Sequence, residues 1–183
     1  GLVCFHTLAA VSRFTPYSLG LLRAVLMQGT APLRMERSAE HRARADAEAQ
    51  FRARTVRAGV AEGPLVGGNL SVLSALVGTP YGARSDGALL CLEDVGEQPY
   101  RIDRMLTQLE LAGLLRASAG LLGGVFENCE APPDPNGPRM PLAQAIDTRF
   151  GAAGRPAVYG YSFGHVRDQM TLPLGVRARL DTA

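Results

Sequence analysis

An α/β fold is the class this sequence predicts, on three observations. Two continuous apolar runs of strand length, ALLCL at 88–92 and AGLLGGVF at 119–126, alternate with stretches of helical spacing. Glycine and proline punctuate the joins between them. The composition is globular, with 46% apolar and 20% charged residues over a 183-residue chain, enough to bury a core without disulfides or metal.

The elements follow in order. GLVCFHTL (1–8) reads as a short buried strand. PYSLGLLRAVLM (16–27) has helical spacing, with Leu19, Leu22 and Val25–Leu26 on one face and Pro16 at the start. Residues 34–57 are rich in Ala, Arg and acids and read as a solvated helix or linker, since acids are interleaved with the arginines. GPLVGG (63–68) reads as a glycine-rich turn. Asn69 can cap the helix LSVLSALV, whose Leu70, Leu73 and Leu76–Val77 form one stripe, with Gly78 and Pro80 stopping it. Residues 81–87 are a loop, and ALLCL is a buried strand that delivers Glu93 and Asp94 at its carboxyl end.

Pro99 opens a second helix with Ile102, Met105–Leu106, Leu109 and Ala112 on its core face, ended by Gly113. AGLLGGVF is a second buried strand whose glycines allow close packing. APPDPNGPR (131–139) is a loop, MPLAQAIDTRF a short helix and PAVYGYS a strand. MTLPLGVRARLD (170–181) alternates around Gly175, as a hairpin or bent strand would.

Several function classes are disfavoured. All 19 basic residues are Arg, so the chain has no P-loop, no Schiff-base lysine and no Ser–Lys dyad. A net charge of +2 is too small to argue for nucleic acid. Cys4, Cys91 and Cys129 are odd in number and far apart, so a disulfide framework is not expected and a reducing, cytoplasmic compartment fits. No apolar run reaches membrane-span length, so no membrane partner is expected. The opening stretch lacks a basic n-region, so no signal peptide is expected either. The start at Gly1 rather than Met suggests a fragment or processed product.

Glu93 is the leading candidate for chemistry, because open α/β sheets place their sites beyond the carboxyl ends of strands; a capping or ion-pair role for the Glu93–Asp94 pair is the alternative. His165, in the glycine-led turn GHVRD, can act as a general base if a carboxylate orients its ring; an ordinary loop histidine is the alternative. His41 lies in the charged stretch and reads as solvent-facing. His6 sits among apolar residues and reads as a satisfied core histidine. Cys4 and His6 lack further ligands at zinc spacing, so no metal is expected. Gly160-Tyr161-Ser162-Phe163-Gly164 matches the G-x-S-x-G nucleophile elbow, but a turn and strand follow where the elbow needs a helix. Nearby it offers only His165 as a base, three positions away in the same turn. Ser162 is therefore not expected to be a nucleophile. GPLVGGN and GLLGG lack phosphate-loop spacing and read as tight turns or close packing.

The blocks EGPLVGGNLSVLSALVGTPYG, GALLCLEDVGEQPYRIDRMLTQLELAGLL and GLLGGVF, followed by PAVYGYSFGH and LPLGVRARLD, resemble the C-terminal domain of bacterial LD-carboxypeptidases. A related branch, the microcin-immunity peptidases, shares the GGNL and ED elements. The resemblance implies a swivelling β/β/α-type domain over 58–183. Residues 1–57 would then be a helical or linker extension: the end of an N-terminal domain and the interdomain region. GLVCFH resembles the stretch before that linker, although Thr7, Leu8 and Ala9 follow where Gly-Pro-Met is usual.

The resemblance also implies a Ser–Glu–His triad, with its glutamate on Glu93 and its histidine on His165. The serine would belong to an N-terminal domain missing from these residues, leaving this chain inactive alone. Asn69 would line the substrate site, with a helix cap as the alternative. The implied activity is removal of the terminal D-alanine from murein tetrapeptides during peptidoglycan recycling, without cofactor or metal. The expected partners are a murein peptide, the serine-bearing domain and a second copy in a homodimer. The alternative functions are a non-catalytic peptide- or partner-binding module, or a peptidase of the microcin-immunity branch.

Overall fold

The structure, a computed structural model, describes residues 2–9, 13–131 and 140–182. Its centre is a six-stranded mixed sheet. In chain order the strands are β1 (Cys4–His6), β2 (Arg54–Arg57), β3 (Val60–Asn69), β4 (Leu89–Val95), β5 (Gly120–Glu127), β6 (Ala157–Tyr159), β7 (Leu172–Leu174) and β8 (Arg177–Asp181). The helices are α1 (Pro16–Leu22), α2 (Ala39–Arg44), α3 (Leu70–Ala75), α4 (Pro99–Leu111), α5 (Leu114–Ala117) and α6 (Leu142–Ala152). The spatial order of the large sheet is β2-β6-β5-β4-β3-β8. β3 to β6 run parallel, and β2 and β8 close the two edges antiparallel. β1 and β7 form a separate antiparallel pair.

Side-chain alternation on the central strands builds two cores. Leu90 and Leu92 of β4 and Leu121 of β5 face α4 and α6, where Ile102, Leu106, Leu109, Ile146 and Phe150 are buried. The spacing of those helical residues is the 3.6-residue period of an amphipathic helix. Leu89, Cys91 and Leu122 face the other way, onto Phe163, Met170 and Leu172, with Tyr17, Leu21 and Met35 packed against them. The N-terminal segment thus roofs the second face of the sheet.

Several expectations for that segment are corrected. The strand near the start is confined to Cys4–His6 and its residues are exposed or half-buried, because among the described residues it pairs with the short β7 alone. The first helix is N-capped by Thr15, with Pro16 in its first turn, and continues as a π-helix over Arg23–Met27. Its core contacts are Tyr17 and Leu21 rather than the expected leucine stripe, and Leu26 is exposed.

Residues 34–57 are not a solvated helix. Ser38, His41 and Phe51 are buried, and β2 (Arg54–Arg57) is an edge strand of the main sheet. β2 lies on the N-terminal side of the 57/58 division drawn from the sequence.

GPLVGG is not a turn but the middle of the ten-residue β3. Its glycines serve close approach: a Cβ on Gly67 would lie 1.9 Å from the Cys91 carbonyl oxygen of the neighbouring strand, and φ there is +138°. The GLLGG glycines are likewise in β5, with Gly123 packed against Tyr159 and Gly124 against Phe163. The bend at Gly175 carries the chain from β7, paired with β1, to β8, paired with β3, so 170–181 is a bent strand shared between two sheets. The loop expected at 131–139 lies outside the described residues apart from Ala131. No helix among the described residues is long and apolar enough to cross a membrane.

Candidate active site

The parallel strands β3, β4 and β5 end side by side, and the candidate residues gather there. Alternation along β4 separates the two acids that the sequence leaves together. Glu93 continues the face of Leu89 and Cys91, and Asp94 continues the face of Leu90 and Leu92. A register irregularity between β4 and β5 falls between Leu92 and Asp94, at Glu93 itself; such irregularities re-aim side chains beside sites.

Asp94 is structural. Its Oδ2 accepts the backbone N–H and hydroxyl of Ser71 at 2.9 and 2.8 Å, at the start of α3. Its Oδ1 accepts the Asn69 side-chain amide at 3.0 Å. Asn69 in turn accepts the Val72 N–H at 3.1 Å, as a helix N-cap does. Asn69 pairs with Glu93 in the β3–β4 register, which puts it at the edge of the same carboxyl-end cluster.

Glu93 has no solvent exposure, and its Oε2 lies 2.8 Å from His165 Nδ1. The two residues are 72 positions apart in sequence. The His165 side chain is 51% exposed, so the ring has one nitrogen on a buried carboxylate and an accessible outer edge. The preceding Gly164 makes this approach possible. Its φ is +111°, and a Cβ there would lie 2.9 Å from Glu93 Oε2 and 3.0 Å from the Val125 carbonyl. Glu93 Oε1 is buried without a hydrogen-bond partner among the described residues. His6 Nε2 faces it at 3.9 Å. His6 is thus a partly buried residue beside the candidate pair, 25% exposed, not a satisfied core histidine. Burial lowers its pKa below 6.5, against the attraction of Glu93 and with the help of His165.

Ser162 lies on the same loop but belongs to a second cluster. Its hydroxyl accepts the Ser38 N–H at 2.9 Å and is hydrogen-bonded to His41 Nδ1 at 2.9 Å. By sequence, His165 is the one base near Ser162 and His41 is solvent-facing; the fold instead buries His41 fully against Ser162 and Phe51. The Ser38 hydroxyl donates to Asp168, which completes the network. Burial pushes the His41 pKa down to about 4, so the ring is neutral. Ser162 has no exposure either, and no substrate carbonyl can reach its oxygen.

Among the described residues no group of three or more His, Cys, Asp or Glu is arranged to hold a metal ion. All three cysteines are free thiols.

The geometry has clear relatives. The LD-carboxypeptidase C-terminal domain family matches residues 62–180. A probable murein peptide carboxypeptidase of Bacillus subtilis is 43% identical over 125 residues, covering 68% of this chain and 39% of the relative. The murein tetrapeptide carboxypeptidase of Pseudomonas aeruginosa is 34% identical over 125 residues, covering 66% of this chain and 38% of the relative. The crystal structure of a muramoyltetrapeptide carboxypeptidase from Oxalobacter formigenes superposes on 100% of this chain and 58% of its own, with a TM-score of 0.77 and 28% identity. The chain therefore spans about two-fifths of the curated relatives it matches. With a mixed α/β sheet of the same fold and a family match over most of its length, this chain belongs to the LD-carboxypeptidase family and carries its C-terminal domain.

Proposed function

We propose that this chain supplies the base and its orienting carboxylate to a serine carboxypeptidase that removes the terminal D-alanine from murein tetrapeptides. The observation that carries the reading is the buried Glu93 carboxylate 2.8 Å from a half-exposed His165. With Nδ1–H donated to Glu93, His165 keeps a lone pair on Nε2, the nitrogen left to meet a substrate-side hydroxyl.

In this mechanism a serine from outside these residues attacks the carbonyl of the L,D bond. His165 Nε2 takes the serine proton, and Glu93 holds the ring and balances the imidazolium charge. The same proton passes to the amine of departing D-alanine. Water then attacks the acyl-enzyme, with His165 again as base and serine as leaving group. Asn69 would line the substrate side of this site, through whatever hydrogen-bonding capacity its cap leaves free. The family names of the relatives and the solvent-facing imidazole both support the reading, and a cytoplasmic role in recycling peptidoglycan fits it.

D-alanine release from a murein tetrapeptide tests it. The protein joined to its serine-bearing domain should release D-alanine, and His165→Ala or Glu93→Ala should reduce kcat on the order of 10⁴-fold. The 183-residue chain by itself should release none. Release by the chain alone, abolished in Ser162→Ala, would overturn the proposal.

A further inference from the structure

A buried carboxylate oxygen without a donor is costly, because desolvation is not repaid by a hydrogen bond. Among the described residues, Glu93 Oε1 is such an atom. His165 occupies the other oxygen, Oε2. What faces Oε1 is a second imidazole, His6 Nε2, at 3.9 Å.

The position of His6 is built rather than incidental. β1 pairs with β7 in a register that sets His6 opposite Leu172. The next residue, Thr7, is hydrogen-bonded through its hydroxyl to Thr171 at 2.7 Å. Phe163 presents its ring edge-on to the imidazole at 6.1 Å and 87°. On the other side lies Gly68, where a Cβ would stand 3.9 Å from His6 Nδ1. The imidazole thus has Phe163 and Gly68 as neighbours, with its Nε2 toward the carboxylate.

We propose that His6 is a positioning residue of the active site: its Nε2–H is the second donor to Glu93, fixing the carboxylate so that Oε2 stays on His165. This rests on the reading of Glu93 and His165 as orienter and base. The separation of 3.9 Å closes to hydrogen-bond length when substrate binds, as happens to catalytic hydrogen bonds that are long in the free enzyme. Two N–H donors, one per oxygen, define the plane of the carboxylate, where one donor leaves it free to turn. A neutral His6 suits the task. It gives Oε1 a dipole without adding a second positive charge beside the imidazolium that His165 must become. The lowered pKa of His6, set first by burial, agrees with that state.

The test uses the enzyme with its serine-bearing domain, measuring kcat and KM for D-alanine release, with His6→Leu, His6→Ala and His6→Gln. Loss of an orienting partner should lower kcat about 10- to 100-fold in the Leu and Ala variants, with KM within about twofold. His6→Gln, which keeps an N–H donor at similar reach, should recover most of the lost kcat. In proton NMR spectra, the low-field resonance of the His165 Nδ1–H should broaden or vanish in the Leu and Ala variants and persist in Gln. Wild-type kcat in a folded Leu or Ala variant would overturn the inference. So would a Gln variant as impaired as Leu, since that pattern belongs to packing of β1. Glu93→Ala and His165→Ala run alongside. If those two retain activity, the underlying reading fails; if they are inactive while His6→Leu is not, only the role of His6 falls.

Discussion

Two histidine pairs each draw one member from the loop after β6, Ser162 and His165, three positions apart, and their contact distances are nearly equal. Glu93 and His165 are 2.8 Å apart; Ser162 and His41 are 2.9 Å apart. The second pair has the residue types of a nucleophile and its base, inside a G-x-S-x-G sequence, with Asp168 close by through Ser38. Access separates them. His165 is half-exposed, whereas Ser162 and His41 have no exposure. Distance makes a hydrogen bond, but a nucleophile must also reach a carbonyl, and Ser162 instead ties residues 38–51 to the end of the domain. The comparison warns against reading a serine–histidine contact as catalysis without asking what can approach it.

The sharpest way to break the contrast is to disturb the turn that serves one pair only. Gly164→Ala would force a side chain onto the Glu93 carboxylate at a positive φ. On the proposed function, a displacement of that kind beside Glu93 should cost about 100-fold or more in kcat for D-alanine release.

Ser162→Ala should do the opposite. It removes the partner of both the Ser38 N–H and His41, so denaturant unfolding of the chain should show a loss of about 1–3 kcal/mol. Its kcat should stay within about twofold of wild type, as expected for a substitution remote from the chemistry.

Acid should also act through the buried pair. His41 has a folded-state pKa lowered to about 4, against about 6.5 in the unfolded chain. Between those values the unfolded state binds the extra proton. Stability contributed by the neutral ring is therefore full above pH 6.5, falls as pH drops from 6.5 toward 4, and levels off below. Urea titrations across that range should show the slope flatten in His41→Gln.

The smallest effect concerns Asn69. As an N-cap it should cost about 1 kcal/mol when replaced by Ala. An accompanying rise in KM would add a substrate contact to the cap, and an unchanged KM would leave the cap alone.

Legibility varied along the chain for physical reasons. α4 could be read from Pro99, the spacing of Ile102, Leu106 and Leu109, and Gly113, because each signal is local. β4 and β5 could be read as buried strands because both their faces are covered and no alternation is needed. β3 was misread, because its glycines answer to the Cys91 backbone of another strand rather than to a turn in their own. The charges of residues 34–57 advertise solvent, while Ser38, His41 and Phe51 among them face Ser162, Val125 and Val166, more than 70 positions away. His6 gave no signal at all, since nothing in GLVCFHTL reveals a carboxylate at the end of a distant strand.

The sequence by itself determined the α/β class, the strand that ends on Glu93 and the glycine-led turn before His165, since these depend on side-chain period and local backbone chemistry. Tertiary structure decided the rest. It split Glu93 from Asp94 by sending them to opposite faces of β4, and it gave Oε2 of Glu93 to His165 and set His6 before Oε1. It also sealed Ser162 with His41 from 121 positions away. Partnership and access are set by how distant segments pack, and no local pattern encodes either.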